Sequence, residues 1–263
     1  MRASDAVRQA AVVLATIAMI VLAMIGTGLF GGVRVQDLQQ GALDADATVL
    51  APGRPAFAIW TVIYLGLIAY ALWQALPSQR ESVRHRAVGW WVAASCLFNG
   101  AWLVLAQETT LALTVLGIIG LLIVLCVLFR IAVATRSRSD GFVDALLIDG
   151  VTGLHLGWVT LATVANITAW LATLIDPGGS AELIGCLVLA AVGLIGVALG
   201  WTSGWRLAPA LAIAWGLSWV AVERLSGEPA STSVGITAAV VAAVVLVPTL
   251  VIRLLKLLRS NTD

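Results

Sequence analysis

"LHLGWVTLATVANITAWL" (residues 154–171) is apolar enough to cross a bilayer, yet it carries His155, Trp158, Thr160, Thr163, Asn166, Thr168 and Trp170. Hydrocarbon satisfies none of their polar groups, so a helix here must turn them toward protein or a cavity. At 1.5 Å per residue, a span of the hydrocarbon core takes about 20 residues. The stretch therefore predicts a membrane helix with an inward polar stripe.

Working outward from it, apolar runs of spanning length recur near residues 10–30, 55–75, 88–107, 111–134, 149–174, 182–200, 206–222 and 233–253. The fold expected is all-α, a polytopic membrane protein of eight helices, of which the seventh is the shortest. Composition agrees: 60% of the chain is hydrophobic and 11% charged, where soluble domains carry about 25% charged residues. The first run follows a basic start but exceeds a signal-peptide core and lacks an A-x-A site, so it is read as a retained first helix.

Charge placement orients the helices. With the N-terminus inside, the inner segments hold Arg2, Arg8, Arg80, Arg84, Arg86, Arg130, Arg136, Arg138, Arg206, Arg253, Lys256 and Arg259, and the outer ones Arg34, Arg54 and Arg224. Twelve cations against three follow the positive-inside rule and set both termini in the cytoplasm. The longest connection, Gly31 to Arg54, is then outside, where it serves as a lid or a plain surface loop. Asp149 falls at the inner mouth of the fifth helix and reads as interfacial.

The net charge of +1 and the lack of a basic run give no reason to expect nucleic acid. Cys96, Cys126 and Cys186 make no CxxC or metal spacing and read as small core residues. No nucleophile, carboxylate pair or metal cluster stands out, so no catalytic residue, metal site or required cofactor is expected.

With directions assigned, three helices bring aromatic and amide side chains to one depth. Asn166 lies about eight residues, roughly 12 Å, below the outer end of its helix. Trp158, Ala162, Asn166 and Trp170 recur every four residues on one face. Trp60 and Tyr64 share a face of the second helix, and Asn99 and Trp102 are three apart on the third. Asn faces a bundle interior or cavity rather than lipid. Flat rings with a few amides suit a large, flat, mostly apolar ligand. The alternative is an interfacial aromatic belt with Asn99 and Asn166 as interhelical glue. Trp73, Trp90, Trp91, Trp201 and Trp205 read as such a belt at the inner boundary.

"WTVIY" (60–64), "NGAW" (99–102) and "WVTLATVAN" (158–166) resemble, in order and spacing, the motifs of the tryptophan-rich sensory protein and translocator protein family (TspO/MBR). The resemblance covers about residues 10–174, a five-helix unit. It divides the chain into a TspO-like domain at 1–175 and three additional transmembrane helices with a short cytoplasmic tail at 176–263. It implies a membrane protein, expected in a bacterial cell membrane, that binds porphyrin, haem or a similar flat tetrapyrrole as sensor or carrier. Trp60, Tyr64, Asn99, Trp102, Trp158, Ala162 and Asn166 would then be ligand-binding residues, and the depth-matched stripe adds Trp170. The resemblance also implies a homodimer and leaves open a light-dependent breakdown of porphyrin.

This chain departs from the pattern in three places. It has only "APGRPAF" (51–57) where the family has a Trp- and Pro-rich stretch, Phe57 stands one position late, and His155 replaces a frequent Tyr. His155 as a haem ligand is outweighed by His155 in an interhelical hydrogen bond. Two other functions compete: a secondary transporter of a small hydrophobic solute, and a structural partner whose last three helices dock another subunit.

Overall fold

The computed structural model describes residues 3–26, 29, 33, 37–137 and 139–260. Arg2, Arg34 and Arg138, three of the cations that orient the chain, lie outside them, as does part of the 10–30 run. The described residues hold eight long helices and no strand. They are α1 (Ala3–Gly26), α2 (Ile59–Ala75), α3 (Val83–Glu108), α4 (Leu111–Ala134), α5 (Phe142–Ala172), α6 (Ala181–Thr202), α7 (Leu207–Ser226) and α8 (Thr232–Ser260). A 3-10 turn, Arg54–Ala58, leads into α2, and residues 145–150 of α5 wind as a π-helical turn.

Seven of the eight are long and apolar enough to cross a membrane; α7 is not among them. Its 20 residues suffice in length, but Glu223 and Arg224 stand in its last turns and Trp215, Ser218 and Trp219 in its second half. It is also much enclosed: Ala210, Ile213, Ala214, Leu217, Val220 and Ala221 all enter one buried core. A helix walled by other helices need not be as apolar as one facing lipid.

By contacts the chain forms two compact units. The first comprises Met1–Ala42 and Trp60–Thr152, the second Leu43–Ile59 and Gly153–Asp263.

In the first unit α1 packs on α3 and α3 on α4. Val12, Ala15, Met19 and Ala23 are buried on α1, and Leu111, Ile118, Leu121, Leu125, Leu128 and Ala132 on α4, three to seven residues apart. That stripe is the one the 3.6-residue turn dictates for a helix with one protein face and one lipid face. Gly100 lets α3 approach α1, since a methyl there would sit 2.7 Å from Leu22 Cδ1. Of the three cysteines read as core, only Cys96 is buried; Cys126 is exposed and Cys186 intermediate.

In the second unit Leu50 and Leu161 join buried residues of α6, α7 and α8 in the shared core. Gly157 marks a close approach of α5 to α7: an added methyl would collide with the Pro209 carbonyl oxygen and stand 2.9 Å from Ala212 Cβ.

Candidate functional site

The threonines of 154–171 are satisfied within their own helix. Thr160, Thr163 and Thr168 donate to the carbonyls of Leu156, Val159 and Val164 at 2.8, 2.7 and 2.9 Å. Such back-bonds to the preceding turn satisfy a hydroxyl without any partner helix. The polar residues whose surroundings carry information are therefore the amides, the histidine and the tryptophans.

Four of the eight residues singled out by sequence belong to the first unit. Trp60 and Tyr64, one turn apart on α2, hold their rings 5.3 Å apart at 31°. Tyr64 donates its hydroxyl hydrogen to Asn99 Oδ1 across 3.0 Å, joining α2 to α3. Asn99 is buried, and Tyr64 and Trp60 are half-buried. Trp102, half-buried, packs toward α4, where a methyl on Gly117 would lie 3.6 Å from its Cδ1. Trp60, Tyr64 and Asn99 thus form one contiguous set, with Trp102 one turn along α3.

The other four belong to the second unit. Trp158 is fully buried. Phe57 stands against it edge-on, with centroids 5.7 Å apart at 80°, and Gly216 of α7 lies behind it, its absent side chain leaving 3.3 Å to Trp158 Cζ3. Asn166 is buried, while Ala162 and Trp170 are half-buried further along α5. Phe57 and Gly216 were not among the sequence candidates. The signal for Gly216 is a glycine inside an apolar helix, which marks a close approach; Phe57 could be reached only through its displaced place before Trp60.

His155 is buried in α5, one turn before the Trp158 level. Asp149, whose position at the start of its run reads as interfacial, is enclosed by protein. It is buried in the π turn of α5, where Arg84 Nη2 approaches its Oδ1 to 2.6 Å and Arg136 Nη1 its Oδ2 to 3.3 Å. Arg84 also donates to the Ala132 and Asp144 carbonyls at 3.0 and 3.3 Å. The Asp140 and Asp144 carboxylates also stand 3.7 Å from Arg84, and Asp140 lies 4.0 Å from Arg136, so the two cations are balanced by three carboxylates, which is how buried charge is stabilised.

A second cluster was also not foreseen. Arg224, assigned by sequence to a loop, lies in the last turn of α7 with 1% of its surface exposed. Close by, Asp44, Asp46, Arg54, Pro55, Glu223 and Glu228 line a cavity of about 290 Å³. Arg54 pairs with Asp44, its Nε reaching Oδ1 at 2.9 Å, and this bond holds the Asp44 carboxyl below the usual carboxylate range.

Comparison with known families adds one finding. The family described as TSPO-like protein matches residues 9–251, from the first helix through the last three. Nothing among curated proteins, and nothing among solved structures, matches the chain.

Proposed function

The chain belongs to the TSPO-like protein family and is an integral membrane protein, and on that premise we propose that it binds flat hydrophobic ligands of the tetrapyrrole class, porphyrin or haem, as sensor or carrier. The observation that carries the reading is the set of Trp60, Tyr64 and Asn99: two neighbouring rings and a buried amide tied by one hydrogen bond. Flat rings offer stacking area and the amide offers a polar contact of fixed direction, the combination that selects a planar, mostly apolar molecule with polar edges. Trp102, Trp158, Ala162, Asn166 and Trp170 are proposed as further contacts. The same reading sets both termini in the cytoplasm of a bacterial cell and the protein as a homodimer.

Titration of the protein in lipid nanodiscs with protoporphyrin IX, followed by quenching of Trp fluorescence, tests it. Saturable micromolar binding, weakened in Trp60→Ala and in Asn166→Leu with the fold retained, is the expected result. Quenching that rises linearly, or ignores both substitutions, would mean that the pigment only partitions into lipid.

Transport of a small hydrophobic solute is a second reading, favoured by the buried Arg84–Asp149–Arg136 group at an irregular helical turn. Intramembrane charges and interrupted helices are what coupled transporters use. Ligand uptake into sealed proteoliposomes would bring it forward.

A further inference from the structure

Arg224 has no ion-pair partner among the described residues; carbonyl oxygens surround it instead. Its Nη2 donates to Ala45 at 2.7 Å and Glu228 at 2.8 Å, its Nη1 to Pro229 at 3.0 Å and Thr48 at 3.1 Å. Two of these acceptors belong to its own turn after α7, and two to a segment more than 170 residues earlier in the chain. A guanidinium has five donors in a fixed planar fork, so it can hold four carbonyls at once; an ammonium has three donors on one atom and cannot span them.

The same segment is fastened to α7 at two more points. Gly53 N–H donates to the Trp219 carbonyl at 3.3 Å, and Trp215 Nε1 donates to the Ala56 carbonyl at 2.9 Å. Leu50 enters the core of the unit between the Arg224 contacts at 45 and 48 and the Gly53 bond. Of regular structure residues 44–58 have only isolated turns and one 3-10 turn, so their own hydrogen bonds hold little. Between Asp44 and Pro55 the segment, together with Glu223 and Glu228, lines the cavity of about 290 Å³, so part of its contact with α7 is left unfilled. At its far end it delivers Phe57 edge-on to Trp158.

We propose that residues 44–58 are a releasable strap, that α7 is the post to which it is fastened with Arg224 as the clamp, and that its release withdraws Phe57 and exposes Trp158. The last three helices then have a task of their own: they regulate access to Trp158. The access step rests on the proposed ligand binding, while the clamp stands on the hydrogen bonds alone.

Hydrogen exchange read by mass spectrometry on the full chain in nanodiscs, without ligand, tests the clamp. Arg224→Lys keeps the charge but loses the fork, and Trp215→Phe removes the donor to Ala56 together with part of the ring that packs edge-on against Trp219. In both, peptides covering 44–58 are expected to exchange at least about ten-fold faster while peptides of α4 keep their protection. Unchanged exchange of 44–58 in both variants overturns the proposal, and so does acceleration spread evenly over all helices. If Arg224→Lys cannot be recovered folded, Trp215→Phe decides alone. Stopped-flow mixing with protoporphyrin IX then tests access. Several-fold faster association in the loosened variants is expected, and an unchanged rate overturns gating. Loosening with no porphyrin binding even to the wild type leaves the clamp standing and overturns the ligand reading instead.

Discussion

Tyr64 and Asn99 meet through one hydrogen bond of 3.0 Å, and its worth can be isolated. Between membrane helices such bonds average about 0.6 kcal/mol, because an unfolded helix in lipid also finds partners. Tyr64→Phe is expected to lower stability by about that amount. The double variant with Asn99→Leu should then cost less than the sum of the two single ones, as a double-mutant cycle of unfolding in nanodiscs would measure. Strict additivity would mean that the bond contributes nothing. Asp44 offers a test by pH. The Arg54 hydrogen bond, and to a smaller degree that from the Ala45 amide, lower its folded-state pKa below 3.8. The pair therefore adds stability above the unfolded value and loses it as pH falls through the folded one. The gap in melting temperature between wild type and Asp44→Asn should be present near pH 6 and close as pH falls below the ordinary carboxylate value and through the lowered folded one. It should be small throughout, since the Arg54 side chain is 61% exposed. Of these two contacts only that of Tyr64 with Asn99 is legible in the sequence, because both residues lie on helices whose depth can be counted. Asp44 and Arg54 lie on a segment without a period, so their pairing leaves no pattern.

At the scale of elements, the spans of the eight helices track the apolar runs, whereas the π turn at residues 145–150 leaves no mark in them. One extra residue in a turn rotates the two flanking parts of the helix relative to each other, and no hydrophobic period records that. Asp149 therefore reads as interfacial in the sequence and is buried between Arg84 and Arg136 in the structure. Removing the charge takes the nearest carboxylate from both cations and leaves them the more distant Asp140 and Asp144. Asp149→Asn is expected to be destabilising, but by less than the about 3–5 kcal/mol of stranding a buried charge, since both cations keep a carboxylate within 4.0 Å. Replacing both partners, as in Arg84→Met with Asp149→Leu, should recover part of that loss, because no charge is then stranded at that contact. Thermal unfolding of the three proteins in nanodiscs distinguishes these cases. A double variant no better than Asp149→Asn would show that Arg84 acts chiefly through its other partners, the Asp140 and Asp144 carboxylates and the Ala132 and Asp144 carbonyls. The sequence turns the polar residues of 154–171 inward, and Thr160 and Thr163 are indeed buried, but the back-bonds that satisfy them are local to α5 and need no neighbouring helix.

The whole molecule divides in a way that chain order does not announce. The second unit takes residues 43–59 from the first loop and joins them to everything after Thr152. Periodicity sees each helix alone, and a grouping made by contacts between distant segments leaves no local signal. The last three helices depend on this division. Without residues 176–263, Leu50 and Leu161 lose their core, Trp158 loses Gly216, and the Ala45 and Thr48 carbonyls lose Arg224. These losses differ in kind. Lipid chains can cover Leu161 almost as well as another helix does, since both are apolar. Nothing in lipid replaces the guanidinium at the carbonyls of 45 and 48 or the Trp215 donor at Ala56. A chain ending at residue 175 is therefore expected to insert into membranes, but with residues 44–58 unfastened. Limited proteolysis in nanodiscs should cut that segment roughly ten-fold faster than in the full chain, while α1, α3 and α4, whose contacts lie within the first unit, stay resistant. Equal resistance of 44–58 in both proteins would make the first five helices self-sufficient. Failure of the truncated chain to insert at all would show that α6, α7 and α8 are needed for assembly itself.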